Sequence, residues 1–224
     1  MFRSFLRLVA AVAAAGTTAF CHAATPLATP LEALRPQLQV GDVVFIRVTA
    51  RPFREVATAT GSWTNHVGIV VDTAGDDVSV AESTVPRSRT TPLARFVDRS
   101  EDGRVAVRRL PQGLDPVRQE AVREAATRRL GVHYDTGFDL HSRGQFCSRF
   151  VREVLQEATG TAVGHVQTFA TLLQARPDTD LGFWQAWFLG SIPWQRETVT
   201  PASQLDSPAL ATVFDGRVDT SGRR

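Results

Sequence analysis

Two short runs constrain the fold more than any other feature of this 224-residue chain. HVGIVV (66–71) and VSVAES (78–83) flank the turn-forming DTAGDD (72–77). The first is an unbroken apolar run, too short to span a membrane, which fits a strand buried on both faces. The second alternates, as a half-buried strand does, and the segment between carries hairpin chemistry. Pairing the two as a hairpin sets Glu82 nearly opposite Val67 and next to His66. GDVVFIR (41–47) and RVAVRRL (104–110) read as further strands.

Helical patterns follow the strands. DPVRQEAVREAATRRLG (115–131) has Asp115 as N-cap, Pro116 in the first turn and Gly131 as the stop. In CSRFVREVLQEATG (147–160), Phe150, Val151, Val154, Leu155 and Ala158 recur at helical spacing and Gly160 ends the run. PFREVATAT and QTFATLLQA predict shorter helices. FWQAWFLGSIPW predicts an aromatic flap or a groove lining, and TPASQLDSPALATVF a loop followed by a short helix. The order implies an α+β domain, a small antiparallel sheet with helices on one side. The expected divisions are a signal peptide at 1–23, an extended lead-in at 24–37, one domain over 38–215 and a flexible tail at 216–224.

MFRSFLRLVAAVAAAGTTAFCHA carries Arg3 and Arg7, an apolar run over Leu8–Ala15, and small residues up to Ala23. This is the pattern of an export signal cleaved after Ala23, predicting a periplasmic or secreted protein; an uncleaved anchor is the alternative. Phe20 ahead of Cys21 argues against lipidation. The 25 basic residues, all arginine, face 23 acids, and loss of Arg3 and Arg7 leaves 23 against 23. That balance gives no ground for a nucleic-acid partner.

Cleavage would also remove Cys21, leaving Cys147 as a single thiol in a compartment where paired cysteines are the norm. It is then a buried inert thiol, half of an intermolecular bridge, or a nucleophile. Its place at the start of a helix favours the last, because free N–H groups and the macrodipole there stabilise an anionic sulfur or an oxyanion. A nucleophile needs a base and often a group to orient that base. His22 lies in the signal, His133 and His141 in the loop before Cys147, and His165 in TAVGHVQT after its helix. His66 opens a buried strand, where an imidazole without partners is costly. It is either a satisfied structural histidine or the base. Glu82 is either its orienting carboxylate or a solvated strand-end charge. A metal site from His133, His141 and Cys147 fits no zinc spacing, so neither metal nor cofactor is expected.

Taken in order, GDVVF, NHVGIVV, VAEST, YD and FCSRFV, covering roughly 38–160, resemble the permuted papain-like amidases of the YaeF/YiiX type, relatives of the NlpC cell-wall peptidases. The TPASQLDSPAL tail adds to the likeness. The resemblance implies a circularly permuted papain-like fold with the histidine ahead of the cysteine. It implies Cys147 as nucleophile, His66 as general base, Glu82 as orienting residue, and Tyr134 and Gln145 as oxyanion or substrate contacts. Arg149 stands where relatives often carry Glu, which would alter the charge of the groove. The implied substrate is a peptide or amide, murein-derived by family neighbourhood. Two other readings stand beside it. One is a lipid-processing thiol enzyme of the lecithin retinol acyltransferase type, with Phe183, Trp184, Trp187 and Phe188 as a flap touching lipid or cell wall. The other is a binding module without catalysis.

Overall fold

The computed structural model describes residues 28–74 and 77–220; the expected signal peptide at 1–23 lies outside them. In chain order the elements are β1 (Thr29–Pro30), α1 (Leu31–Leu34), β2 (Val43–Val48), α2 (Arg51–Thr60), β3 (His66–Asp72), β4 (Ser79–Glu82), β5 (Arg89–Pro92), α3 (Leu93–Val97) and β6 (Ser100–Arg109). There follow α4 (Pro116–Thr127), α5 (Cys147–Thr159), β7 (Gln167–Thr168), α6 (Phe169–Gln174), α7 (Leu181–Trp187), β8 (Glu197–Thr198), α8 (Pro201–Leu205) and β9 (Ala211–Asp219).

One sheet, ordered β1-β9-β6-β2-β3-β4-β5, forms the middle of the molecule. It is antiparallel except where β1 runs parallel to β9. The apolar runs explain its burial. In β2, Val43 and Phe45 join Val67 and Ile69 of β3 beneath α4 and α5, while Val44 and Ile46 face the opposite way with Val70, Val80, Leu93 and Phe96. A strand with both faces covered is apolar throughout rather than alternating. Helices therefore cover both faces, not one as the order of elements suggested: α4 and α5 on one, α1 and α3 on the other.

Several boundaries differ from the sequence reading. The lead-in is not extended, because Leu31 and Leu34 turn as one helical step and bury against the sheet. TPASQLDSPALATVF is a short helix, α8, leading into the strand β9, not a loop followed by a helix. Residues 216–219 are not a tail; they continue β9, which pairs with β6 from Arg104↔Arg217 to Arg109↔Ala211. The domain thus extends past 38–215 at both ends. Both long helices begin where the sequence places them and α5 ends at its expected glycine, but α4 stops at Thr127 with Arg128 as its C-cap, ahead of the expected stop at Gly131. The Asp115 carboxylate accepts from the Arg118 N–H at 2.8 Å, and Gly160 ends α5 at φ 77°, where a side chain would be strained.

Candidate active site

The β3–β4 hairpin sets the first two side chains. Its register is Ile69↔Ala81 and Val70↔Val80, one residue away from that expected. Continued, it puts Glu82 across from Gly68 rather than Val67. The difference matters because a one-residue slip turns every side chain to the other face. In the observed register His66, Gly68, Val70, Val80 and Glu82 share the α3 face, and Gly68 leaves room where a Cβ would lie 2.5 Å from Val80 and 3.0 Å from Phe96. His66 Nε2 meets Glu82 Oε2 at 2.6 Å, with both side chains almost wholly buried.

Glu82 is no solvated strand-end charge. Thr91 Oγ1 donates to its Oε1 at 2.7 Å, and Arg99 Nη2 donates to both oxygens at 2.8 Å. Burial pushes the carboxyl up, but the hydrogen bond and charge of His66, with those of Arg99, outweigh it and hold Glu82 down at about 2. Burial likewise pushes His66 down. Hydrogen bonding to Cys147 and Glu82, and their charges, reverse this and raise the imidazole to about 9. Glu82 therefore fixes Nε2 as an N–H, and Nδ1, buried and taken by no residue other than Cys147, is the nitrogen that faces the thiol.

Cys147 opens α5, with Phe146 as N-cap. The first-turn N–H groups of a helix have no intrahelical acceptors, so they are available at this end. The loop before it is tied closely. Gln145 N donates to the His133 carbonyl and Asp135 N to the Gln145 carbonyl, both at 2.9 Å, while Ser83 Oγ anchors that Gln145 oxygen to the end of β4 at 2.7 Å. Arg149 reaches back to the carbonyls of Ser142 (2.9 Å) and Gly144 (3.0 Å) and to Glu153 (2.7 Å). Its charge thus serves this loop rather than the groove, contrary to the expectation drawn from its position.

The loop brings Tyr134 to the cysteine. Its hydroxyl is buried and unpartnered, and burial followed by the charge of Cys147 pushes it well above the usual phenol range, so it remains a donor. Gln145 behaves differently. Its amide NH2 donates to Glu153 at 3.3 Å, and its side-chain oxygen is buried without a partner. His133 pairs with Arg87 at 2.9 Å and His141 with Glu197 at 2.8 Å, both at the surface. Among the described residues no group of three or more His, Cys, Asp or Glu is placed to hold a metal.

In front of Cys147 lies a slot of about 30 Å³, room for a water or two, lined by Phe53, Val56, Phe138, Phe169, Leu172 and Trp184 along with Tyr134. Trp184 of α7 is 2 % exposed and packs on Phe138, Phe169 and Phe188. Trp184 thus roofs the slot as packed core, with Phe183, Trp187 and Phe188 half-buried against it. A polar groove of about 610 Å³, carrying His165, Arg176 and Asp206, adjoins it through Ala59, Leu172 and Thr200.

His66, Glu82, Cys147 and Tyr134 are thus assembled from the hairpin, the start of α5 and the loop before it. Arg99 and Thr91 escaped the sequence reading. Neither has a local pattern that points to Glu82.

The chain also resembles known proteins in sequence and fold. The chain is 29% identical over 177 residues to the uncharacterized protein YiiX of Escherichia coli K12, covering 79% of this chain and 86% of that protein. It superposes with a TM-score of 0.74 on a solved structure titled as metalloprotein yiiX from E. coli O157:H7, 29% identical, over 81% of this chain and 99% of that one. The family model for permuted papain-like amidase enzymes of the YaeF/YiiX type, family C92, matches residues 37–214, and the chain belongs to that family.

Proposed function

We propose that the protein is an exported thiol amidase in which Cys147 is the nucleophile, His66 the general base and Glu82 the residue that orients it. One observation carries the reading: a buried imidazole whose Nε2 is held by a carboxylate at 2.6 Å, while its Nδ1 is taken by no other residue and the ring faces a cysteine at a helix start. Held up at about 9, the imidazole already carries the thiol proton on Nδ1 near neutrality, and the thiolate Sγ attacks the amide carbonyl carbon. The Tyr134 hydroxyl and the first N–H groups of α5 receive the oxyanion. The imidazolium then gives its proton to the amine as the C–N bond breaks, leaving a thioester on Cys147. Water, deprotonated by Nδ1, cleaves the thioester to a carboxylic acid and restores the thiol.

The apolar slot favours an acyl side that is itself apolar, and the polar groove beside it suits the amine side. This observation also supports the second reading, transfer of an apolar acyl group to an acceptor other than water. The slot is too small for an acyl chain, so α7 has to shift for substrate to enter. A polar murein peptide fits the slot less well than an acylated amine. The E. coli O157:H7 structure is titled a metalloprotein. Here the histidines nearest in sequence to Cys147 are engaged by Arg87 and Glu197, and no step above passes through a metal.

The test is mass spectrometry of the mature protein after a short reaction with N-acyl amino-acid amides of graded chain length and with short peptides. The expected result is an acyl adduct on Cys147 that clears in water, with hydrolysis lost in Cys147→Ala. Undiminished turnover by Cys147→Ala would end the thiol mechanism. Acyl transfer to added amine or alcohol in preference to water would favour the second reading.

A further inference from the structure

Glu82 is held from two sides, and the mechanism above uses only one of them. On the far side from His66 stands Arg99, just beyond α3. Its guanidinium rests over the Phe96 ring at 5.0 Å and is 29% exposed. Among the described residues it makes hydrogen bonds to Glu82 alone, from a single nitrogen to both carboxylate oxygens at 2.8 Å. Phe96 also contacts the His66 ring, 5.6 Å between centroids, so one short helix braces base, carboxylate and arginine together.

A packing role alone does not account for this arrangement. A carboxylate buried beside a histidine can share or take its proton, and the imidazole is then free to change tautomer. A fixed positive charge on both oxygens opposes that, because it favours the ionised carboxylate. We propose that Arg99 is a positioning residue of the reaction: acting through Glu82, it keeps that carboxylate ionised and fixed, so that His66 always presents Nδ1 to Cys147. The inference rests on the reading of His66 and Glu82 as base and orienting residue. Arg99 also sits about two hydrogen bonds from the imidazole, so its charge moderates the imidazolium that Glu82 and Cys147 favour. Without it His66 would hold its proton more tightly and release it to the leaving amine less readily.

The other charged groups facing this pair are few. Arg89 lies across from Glu82 in the β4–β5 register, and Arg95 and Asp98 share with Arg89 and Arg99 a groove on the outer side. Cys147 faces from α5 and Tyr134 from the loop before it. Of these, Arg99 alone bonds the carboxylate from outside the Cys147 side.

The experiment follows the His66 ring by ¹⁵N NMR across pH in the wild type, Arg99→Gln, Arg99→Lys and Thr91→Val, with the rate of Cys147 alkylation measured on the same samples. In Arg99→Gln the His66 titration is expected to move up by about one to three pH units, the size of a neighbouring-charge effect. The Nε2–H tautomer should become mixed above it, and alkylation near neutrality should be preserved, because the imidazolium that pairs with the thiolate is favoured. Arg99→Lys keeps the charge and should leave the titration in place. Thr91→Val removes a hydrogen bond to the same carboxylate without a charge and should do likewise. A wild-type titration retained in Arg99→Gln, with only thermal stability reduced, would make Arg99 a structural anchor and overturn the proposal. So would an equal shift in Thr91→Val. Failure of the thiol reading is separate: it would appear as alkylation indifferent to His66→Ala, while the ring titrations still decide what Arg99 does to Glu82 and His66.

Discussion

Replacing Glu82 by Gln keeps the shape of the side chain and removes its charge, at a position that four hydrogen bonds define. Oε1 accepts from Thr91 and Arg99, and Oε2 contacts His66 and accepts from Arg99. An amide cannot satisfy this set. With its NH2 toward His66, Nε2 must become an acceptor and Nδ1 the N–H, which is the wrong tautomer to take a proton from Cys147. With its oxygen toward His66, the NH2 confronts the Thr91 and Arg99 donors. The charge effect runs the same way. Burial pushes the imidazole down, and Glu82 is one of the two groups that overcome this and hold it at about 9. Loss of a charge partner at 2.6 Å is worth about 1–3 pKa units, or roughly 1.4–4 kcal/mol of lost preference for the imidazolium. Glu82→Gln should therefore lower the His66 titration by that amount and slow reactions of Cys147 that need the base by about 10²–10⁴-fold. NMR titration of the ring and the rate of iodoacetamide alkylation measure the two separately. The stability cost also has a sign. His66 is raised on folding, so its contribution is full below about 6.5 and fades as pH rises through 9. Urea unfolding should show the Glu82→Gln penalty larger at pH 6 than at pH 9.5. A His66 that still titrates near 9 in Glu82→Gln would refute this reasoning.

Three other outcomes follow from the same structure. In the wild type, Glu82 is held at about 2, so its contribution is present above about 4.3 and lost as pH falls toward 2; combined with His66, stability to urea should peak between about pH 4.5 and 6.5 and fall on both sides. Gly68→Ala would drive a Cβ to 2.5 Å from Val80 and 3.0 Å from Phe96; an expected loss of about 1–3 kcal/mol in unfolding experiments should be accompanied by slower Cys147 alkylation, since the same face carries His66 and Glu82. Trp184→Ala should cost about 3–5 kcal/mol as a buried aromatic truncation and, by opening the roof of the slot, shift preference toward longer acyl chains in a competition assay. Unchanged chain-length preference would mean that α7 does not bound the acyl site.

How much of this was readable from sequence depended on the range of the interaction. The helices over 116–127 and 147–159 carry their own caps and periodicity, and the β3–β4 pair carries its own turn, so local chemistry specifies them. His66 was conspicuous because a polar group at the head of an apolar strand demands partners. The register was missed by one residue because the pairing shifts between Val70 and Asp72, just beyond the turn, and no turn residue announces that shift. β9 escaped for a related reason. Its Asp215, Gly216, Arg217 and Asp219 lie on a partly exposed strand, and what makes it a strand is pairing with β6 about a hundred residues earlier. Leu31 and Leu34 read as part of a proline-rich lead-in until the sheet supplied a face to bury them. Arg99 has no motif, and its meaning comes entirely from the carboxylate it meets.

The central claim is that His66 activates Cys147. Its most direct test is the alkylation rate of Cys147 at pH 6 in the mature wild-type protein and in His66→Ala, with folding of both checked by circular dichroism. The account predicts a fast wild-type reaction that falls by about 100-fold or more when the imidazole is removed. Equal, slow rates in two folded proteins would contradict it and leave a papain-like fold whose cysteine is inert.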